Sequence, residues 1–260
     1  MIFLLSPAKT LDYDTPVPRG LPHTLPRFLD RSARLVEVLR RRSPAQLSRL
    51  MDISDSLAQL NCARFREWSP DFTADNARQA VLAFDGDVYE GLQARRLSAA
   101  DLDWAQRHLR ILSGLYGVLR PLDWIQPYRL EMGTPLAVGR AHSLYEFWGA
   151  TIAESLNAEL AADATPVVVN LASQEYFRAV ELRALKARVI ECVFEDRKGT
   201  GPFKVISFFA KKARGLMARY AIQERATLPH QLQRFDLDGY RYEPGASTPE
   251  RLVFRRTIQA

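Results

Sequence analysis

Val167 to Ser173 reads VVVNLAS, and three valines in a row decide the kind of fold to look for. A strand with one wet face alternates apolar and polar residues. A strand apolar at every position is buried on both faces, as the central strands of α/β sheets are. The run stops in small polar residues, Asn170 and Ser173, with Tyr176 just beyond. The N-terminus repeats this grammar: Ile2 to Leu5 are apolar, and Ser6, Lys9 and Thr10 follow. A third unit reads Phe203 to Phe209, then Lys211, Lys212 and Arg214. Ligands of open α/β sheets sit where strands end. The expected fold is therefore mixed, α/β with α+β character. One compact domain over residues 1–260 would hold a mixed sheet flanked by helices.

Around these strands the spacing predicts helices. Leu25, Phe28, Leu29, Leu35, Val36 and Leu39 mark one, closed by Arg40, Arg41 and Arg42, which complement the helix dipole. Pro44 opens a second and Ser54 to Trp68 makes a third. Thr73 caps a fourth that buries Ala77, Ala80, Val81 and Phe84. Asp85-Gly86-Asp87 reads as a turn without calcium-loop spacing. Ser98 caps a helix striped by Leu102, Ala105, Leu109 and Leu112. Ser143 and Glu146 have capping-box spacing ahead of a helix running from Leu144 to Leu160. Val189 to Phe194 and Phe203 to Phe209 read as a hairpin, and a helix follows from Lys211. In that helix Lys211, Lys212, Arg214 and Arg219 share an arc containing Gly215, which calls for close approach of a phosphate or another backbone. Short strands are expected at Gly239 to Glu243 and Leu252 to Arg256.

Ser113 to Gly133, SGLYGVLRPLDWIQPYRLEMG, is too rich in Gly and Pro for an ordinary helix. It brings Arg120, Tyr128, Arg129 and Glu131 close in sequence. A helix leading into LSGLYGVL is loosely like a helix-hairpin-helix unit, in which the amides of a Gly-rich turn hold phosphate. The glycines here are three apart, whereas that hairpin spaces them two apart.

Composition narrows the function classes. With 47% hydrophobic and 25% charged residues the chain is globular, and no apolar run reaches membrane-spanning length. Met1 to Thr10 lacks the basic start of a signal peptide. Cys62 and Cys192 form no CxxC pair, which fits a reducing cytoplasm. His23, His108, His142 and His230 are scattered without an HExxH, so neither a dedicated metal site nor a cofactor is expected. GxxxxGK[ST], GxGxxG and GxSxG signatures are missing. A net charge of +6 permits an anionic partner.

If the three strand ends are neighbours, Ser6, Lys9, Thr10, Asn170, Ser173, Lys211, Lys212 and Arg214 converge with Arg120, Tyr128 and Arg129. The result is a cationic cleft with hydroxyl and amide donors and one carboxylate, Glu131. Such a cleft suits double-stranded DNA or another phosphate-bearing ligand. Were it an active site, Lys9, Arg129 and Glu131 are the candidates for proton transfer and anion stabilisation.

SPAKTLDY (6–13), SGLYGVLRPLD (113–123), QPYRLEMG (126–133), LYEFWG (144–149), NLASQEYF (170–177) and FKVISFFAKKARGLMARY (203–220) resemble, in order, the signature blocks of the YaaA peroxide-stress-resistance family. The resemblance implies a cytoplasmic bacterial protein that limits free intracellular iron and so protects DNA from oxidation. It also implies a family-specific mixed fold with a basic cleft, a helix-hairpin-helix element and binding to double-stranded DNA. Three readings follow. One is a DNA-binding stress protein, and a second is an enzyme acting on a nucleobase, nucleoside or nucleotide in the same cleft. The third is a protein whose basic face meets an acidic partner.

Overall fold

The computed structural model describes residues 1–258 of the chain; residues 259–260 of the expected domain lie outside it. Seven strands form the main sheet: β1 (Ile2–Leu5), β2 (Leu109–Ser113), β3 (Gly117–Leu119), β4 (Val167–Leu171), β5 (Arg188–Lys198), β6 (Arg241–Tyr242) and β7 (Arg251–Ile258). Their order across the sheet is β6-β7-β5-β4-β1-β2-β3. β1 lies parallel between β4 and β2, with Leu5 opposite Leu171 on one side and Ile111 on the other. β4 and β7 also run parallel to β5, and only the outermost strands, β3 and β6, are antiparallel. β1, β2 and β4 are buried at every position. That burial is why their sequences are nearly unbroken apolar runs.

The main helices are α1 (Leu29–Arg40), α2 (Pro44–Met51), α3 (Asp55–Glu67), α4 (Asp87–Leu92), α5 (Ala99–His108), α6 (Leu144–Trp148), α7 (Thr151–Glu159), α8 (Gln174–Phe177) and α9 (Ser207–Gln223). Ser43, Ser54 and Ser98 cap α2, α3 and α5, each accepting from a backbone N–H three residues on. The mixed sheet flanked by helices is the expected class of fold.

Several local expectations are corrected. Leu109 and Leu112 belong to β2, because α5 ends at His108 and the chain then pairs with β1. The helix expected after Thr73 shrinks to Ala80–Ala83. The amides of Ala80 and Val81 donate instead to Asp123 and Pro121, which ties this segment to the loop after β3. Leu144 to Leu160 is two helices: Gly149 adopts φ +47 and ends α6. Glu146 completes no capping box, since it accepts from the His142 amide, although Ser143 still caps α6. Leu25 precedes α1 and is exposed.

The hairpin partner Phe203–Phe209 is not a strand. β5 pairs with β4 only as far as Glu191. Beyond that, Lys204 makes a single antiparallel bridge to Asp196, and α9 begins at Ser207. The Gly114 and Gly117 turn joins two strands, β2 and β3, and is buried throughout. A Cβ at Gly114 would collide with the Leu130 carbonyl, and one at Gly117 would lie 2.7 Å from the Trp148 ring. These glycines serve close packing, and within the turn the Tyr116 amide donates to Ser113 Oγ at 2.9 Å.

Candidate functional site

β1 is the point from which the sheet grows both ways. The chain goes to β2 on one side and later to β4 on the other. A crevice outside the C-terminal ends of the strands is expected at such a reversal. A cleft of about 410 Å³ lies there, lined by the Ser6–Thr10 segment after β1 and by Ser173, Glu175 and Tyr176 after β4. Asp85 to Val88, Glu131, and Lys211 and Arg214 of α9 complete it.

Two hydroxyls sew the strand ends together. The Ser173 amide donates to Ser6 Oγ at 2.9 Å, and Ser6 Oγ donates to Ser173 Oγ at 3.3 Å. Tyr89 of α4 donates to the Ser6 carbonyl at 3.1 Å, which fixes the floor against α4. Burial holds the Tyr89 and Tyr176 phenols well above their ordinary pKa, so both stay protonated. Glu131 stands between two cations: Lys9 Nζ is 2.7 Å from it and Arg129 2.9 Å. Lys211 faces Asp87 at 3.9 Å. Burial lowers the pKa of Arg214, while Glu191 and the Cys192 sulfur act to raise it.

Ser6, Lys9, Thr10, Ser173, Lys211, Arg214 and Glu131 thus share one cleft. Strand ends bring only the first four there; Lys211 and Arg214 arrive on α9, which follows a loop and not the expected strand. The other expected residues do not line it. Arg129 stands behind Glu131. Tyr128 is buried, its hydroxyl 2.6 Å from Ser113 Oγ. Asn170 is buried and shapes the exit from β4 by accepting the Ala172 amide. β3 runs antiparallel to β2 and carries Arg120 to the other edge of the sheet. There Arg120 grips Asp123 and the Leu25 carbonyl. Lys212 lies where α9 crosses α4.

That crossing accounts for Gly215. A Cβ on Gly215 would collide with the Val88 carbonyl, and one on Gly91 with that of Lys212. The two glycines let α4 and α9 touch backbone to backbone. The α9 arc read as basic is covered at its C-terminal part, where Arg219 donates to Gln93 of the α4 C-terminus at 2.5 Å, while Lys211 stays exposed.

Sequence reasoning missed the acids. Asp85, Asp87 and Glu175 join Glu131 in the lining, so four carboxylates face three cations, Lys9, Lys211 and Arg214. The expected cationic cleft is one of mixed charge. The sign was present in Asp85-Gly86-Asp87, but a turn is its ordinary reading.

Unpaired positive charge gathers elsewhere. Arg40 is structural, donating to the Phe65 and Trp68 carbonyls at the end of α3. Arg34, Arg42, Arg49 and Arg140 take part in no ion pair among the described residues. Arg42 and Arg49 edge one shallow hollow with Pro135. Arg34 and Arg140 edge another with Val138, Ala141, Phe147 and one carboxylate, Glu146. The segment 135–141 borders both hollows, and their four arginines together are called the arginine face.

No helix among the described residues is long and apolar enough to cross a membrane. Cys62 and Cys192 are buried free thiols. No group of three or more His, Cys, Asp or Glu is arranged to hold a metal ion among the described residues.

These features define a mixed α/β protein with a polar cleft at the C-terminal edge of its parallel strands. Residues 1–246 match the family described as "Peroxide stress protein YaaA", and the chain belongs to that family. It is 68% identical over 256 residues to a "UPF0246 protein" of Paracidovorax citrulli, with 98% of each chain covered. It is 64% identical to the namesake of Verminephrobacter eiseniae, with both chains fully covered, and 64% to that of Delftia acidovorans, with 98% of each covered. Family membership supports a role in peroxide stress resistance.

Proposed function

We propose that the protein acts in peroxide stress by binding double-stranded DNA through phosphate contacts and by limiting free intracellular iron indirectly, so that DNA is spared oxidation. The observation that carries the DNA reading is the arginine face. Arg34, Arg42, Arg49 and Arg140 present guanidinium groups not already spent on carboxylates. Arginine forks match phosphate oxygens, and such contacts need no base readout. The test is a salt titration of binding to labelled duplex DNA. Each phosphate neutralised adds about 0.9 to the slope of log K against log salt. The Arg42→Ala/Arg49→Ala variant is expected to lose about two phosphates' worth of slope, and Lys211→Ala/Lys212→Ala much less. Equal slopes in wild type and the arginine variant would reject this face.

A second reading is favoured by the cleft itself. Its volume of about 410 Å³ is that of a small-molecule site. Its mixed charge suits a ligand with both acceptors and donors, better than it suits the uniform charge of a duplex. In this reading the cleft binds a small phosphate-bearing compound, and if chemistry follows, Lys9 and Glu131 are nearest to act. Calorimetry with small phosphate esters, on wild type and Lys9→Ala, tests it; no binding to folded wild type would sink the reading.

A further inference from the structure

We propose that the cleft takes a nucleoside phosphate whose base stacks on Phe208 at the cleft mouth. The inference rests on the second reading above and names its ligand class. Phe208 lies in the first turn of α9 and is 53% exposed. Phe208, Lys211 and Arg214 are spaced three apart, which makes them successive neighbours on one helix surface. Lys211 and Arg214 line the cleft. Phe208 therefore stands one turn outside Lys211, at the lip. Val205, immediately before the helix, is 52% exposed and widens the apolar lip. Helical side chains lean toward the N-terminus, so the Lys211 ammonium reaches into the turn that carries the ring.

The lining chemistry matches the remaining parts of such a ligand. Lys9, Lys211 and Arg214 supply charge for the phosphate. Asp85, Asp87 and Glu175 are acceptors only, as ionised carboxylates are, and ribose hydroxyls are donors that can meet them. A bare phosphate adds no donor to those acids, of which, among the described residues, Glu175 has only the Gly133 amide and Asp87 only the distant Lys211, and it leaves Phe208 in water. A nucleoside phosphate uses the anion site, the acceptors and the aromatic face together. Aromatic faces stack bases of every kind, so the class is specified more tightly than the base.

The experiment measures binding of adenosine 5′-monophosphate, uridine 5′-monophosphate and ribose 5-phosphate to the full chain by calorimetry at low salt. Wild type is expected to bind the nucleotides about tenfold more tightly than ribose 5-phosphate, the size of one stacking contact. Phe208→Ala is expected to erase that advantage and leave ribose 5-phosphate affinity as it was, while Phe208→Trp retains it. Lys211→Ala is expected to weaken all three ligands. Equal affinities in wild type, or an advantage that survives Phe208→Ala, overturns the stacking inference and leaves the cleft reading intact. If folded wild type binds none of the three, both fall together.

Discussion

The cleft and the arginine face hold similar numbers of cations in opposite company. Lys9 shares Glu131 with Arg129, Lys211 faces Asp87, and Arg214 has Glu191 nearby. On the face formed by Arg34, Arg42, Arg49 and Arg140 one carboxylate, Glu146, lines the hollow of Arg34 and Arg140, but among the described residues it pairs with neither and instead accepts the His142 amide. A paired cation in a cleft is held in place and is released only to a ligand that competes with its partner. An unpaired arginine on an open face meets any phosphate at little desolvation cost, and salt screens it fully. Fixed geometry belongs to small ligands, and diffuse charge to polyanions.

The sharpest way to break one region without the other is Gly215→Ala. The new methyl meets the Val88 backbone, and backbone cannot swing aside as a side chain can. Overpacking of this kind costs about 3 kcal/mol or more. Because α4 carries Asp87 and α9 carries Lys211, separating the helices also pulls the cleft lining apart. Urea denaturation is expected to show the loss, with DNA binding by the surviving folded protein unchanged. Wild-type stability in this variant would mean that α4 and α9 do not meet as described.

Arg40→Ala sharpens the line between structural and free arginines. Its guanidinium satisfies two carbonyls at the end of α3, a site where cations complement the helix dipole. A loss of about 1–2 kcal/mol is expected in denaturant titration. Arg42→Ala and Arg49→Ala are expected to stay within about 0.5 kcal/mol of wild type, as surface changes do.

What the sequence carried, and what it withheld, follows the same physical division. Val167 to Val169 and Ile2 to Leu5 announced buried parallel strands because burial on both faces needs apolar residues at every position. Their polar ends met in space because register placed Leu5 opposite Leu171. Leu109 to Leu112 misled because an apolar run can continue a helical stripe or begin a buried strand, and periodicity alone does not separate the two. Phe203 to Phe209 misled because strand composition cannot say which flank of β5 is open. The acids of the cleft were hidden by position: Asp85 reaches it by pairing with Thr10, and Asp87 because α9 packs on α4. Gly215 did signal a close approach, and the approaching group was a backbone.

Glu131→Gln is the next test by size. It removes the charge that Lys9 and Arg129 share while keeping the shape. Both cations are then freer to meet a phosphate, and small-anion affinity is expected to rise about twofold to fivefold, within the range of one weakly exposed ion pair. DNA affinity is expected not to move. A rise in both would mean that the duplex reaches the cleft and that the two regions are one site.

Acid gives the smallest effect and the one most confined to the cleft side. Asp12 closes the loop just beyond Thr10, accepting from the Thr15 amide at 2.9 Å and from Arg95 at 2.8 Å. Burial acts to raise its pKa, but the hydrogen bonds from Thr15 and the charge of Arg95 outweigh that and lower it from 3.8 to about 2. Because the folded value lies below the unfolded one, the stabilisation is complete above pH 3.8 and drains away as pH falls toward 2. The carboxylate is partly exposed, so the contribution is under about 1 kcal/mol. Asp12→Asn is expected to flatten the stability profile in that acid window and to leave it unchanged at neutral pH apart from a constant offset. Glu146, the carboxylate on the arginine face, pairs with none of its arginines among the described residues, so acid should loosen the loop beside the cleft while the face keeps its charge. Hydrogen exchange at pH 3 that opens the segment around Arg42 before the one around Asp12 would reverse that order.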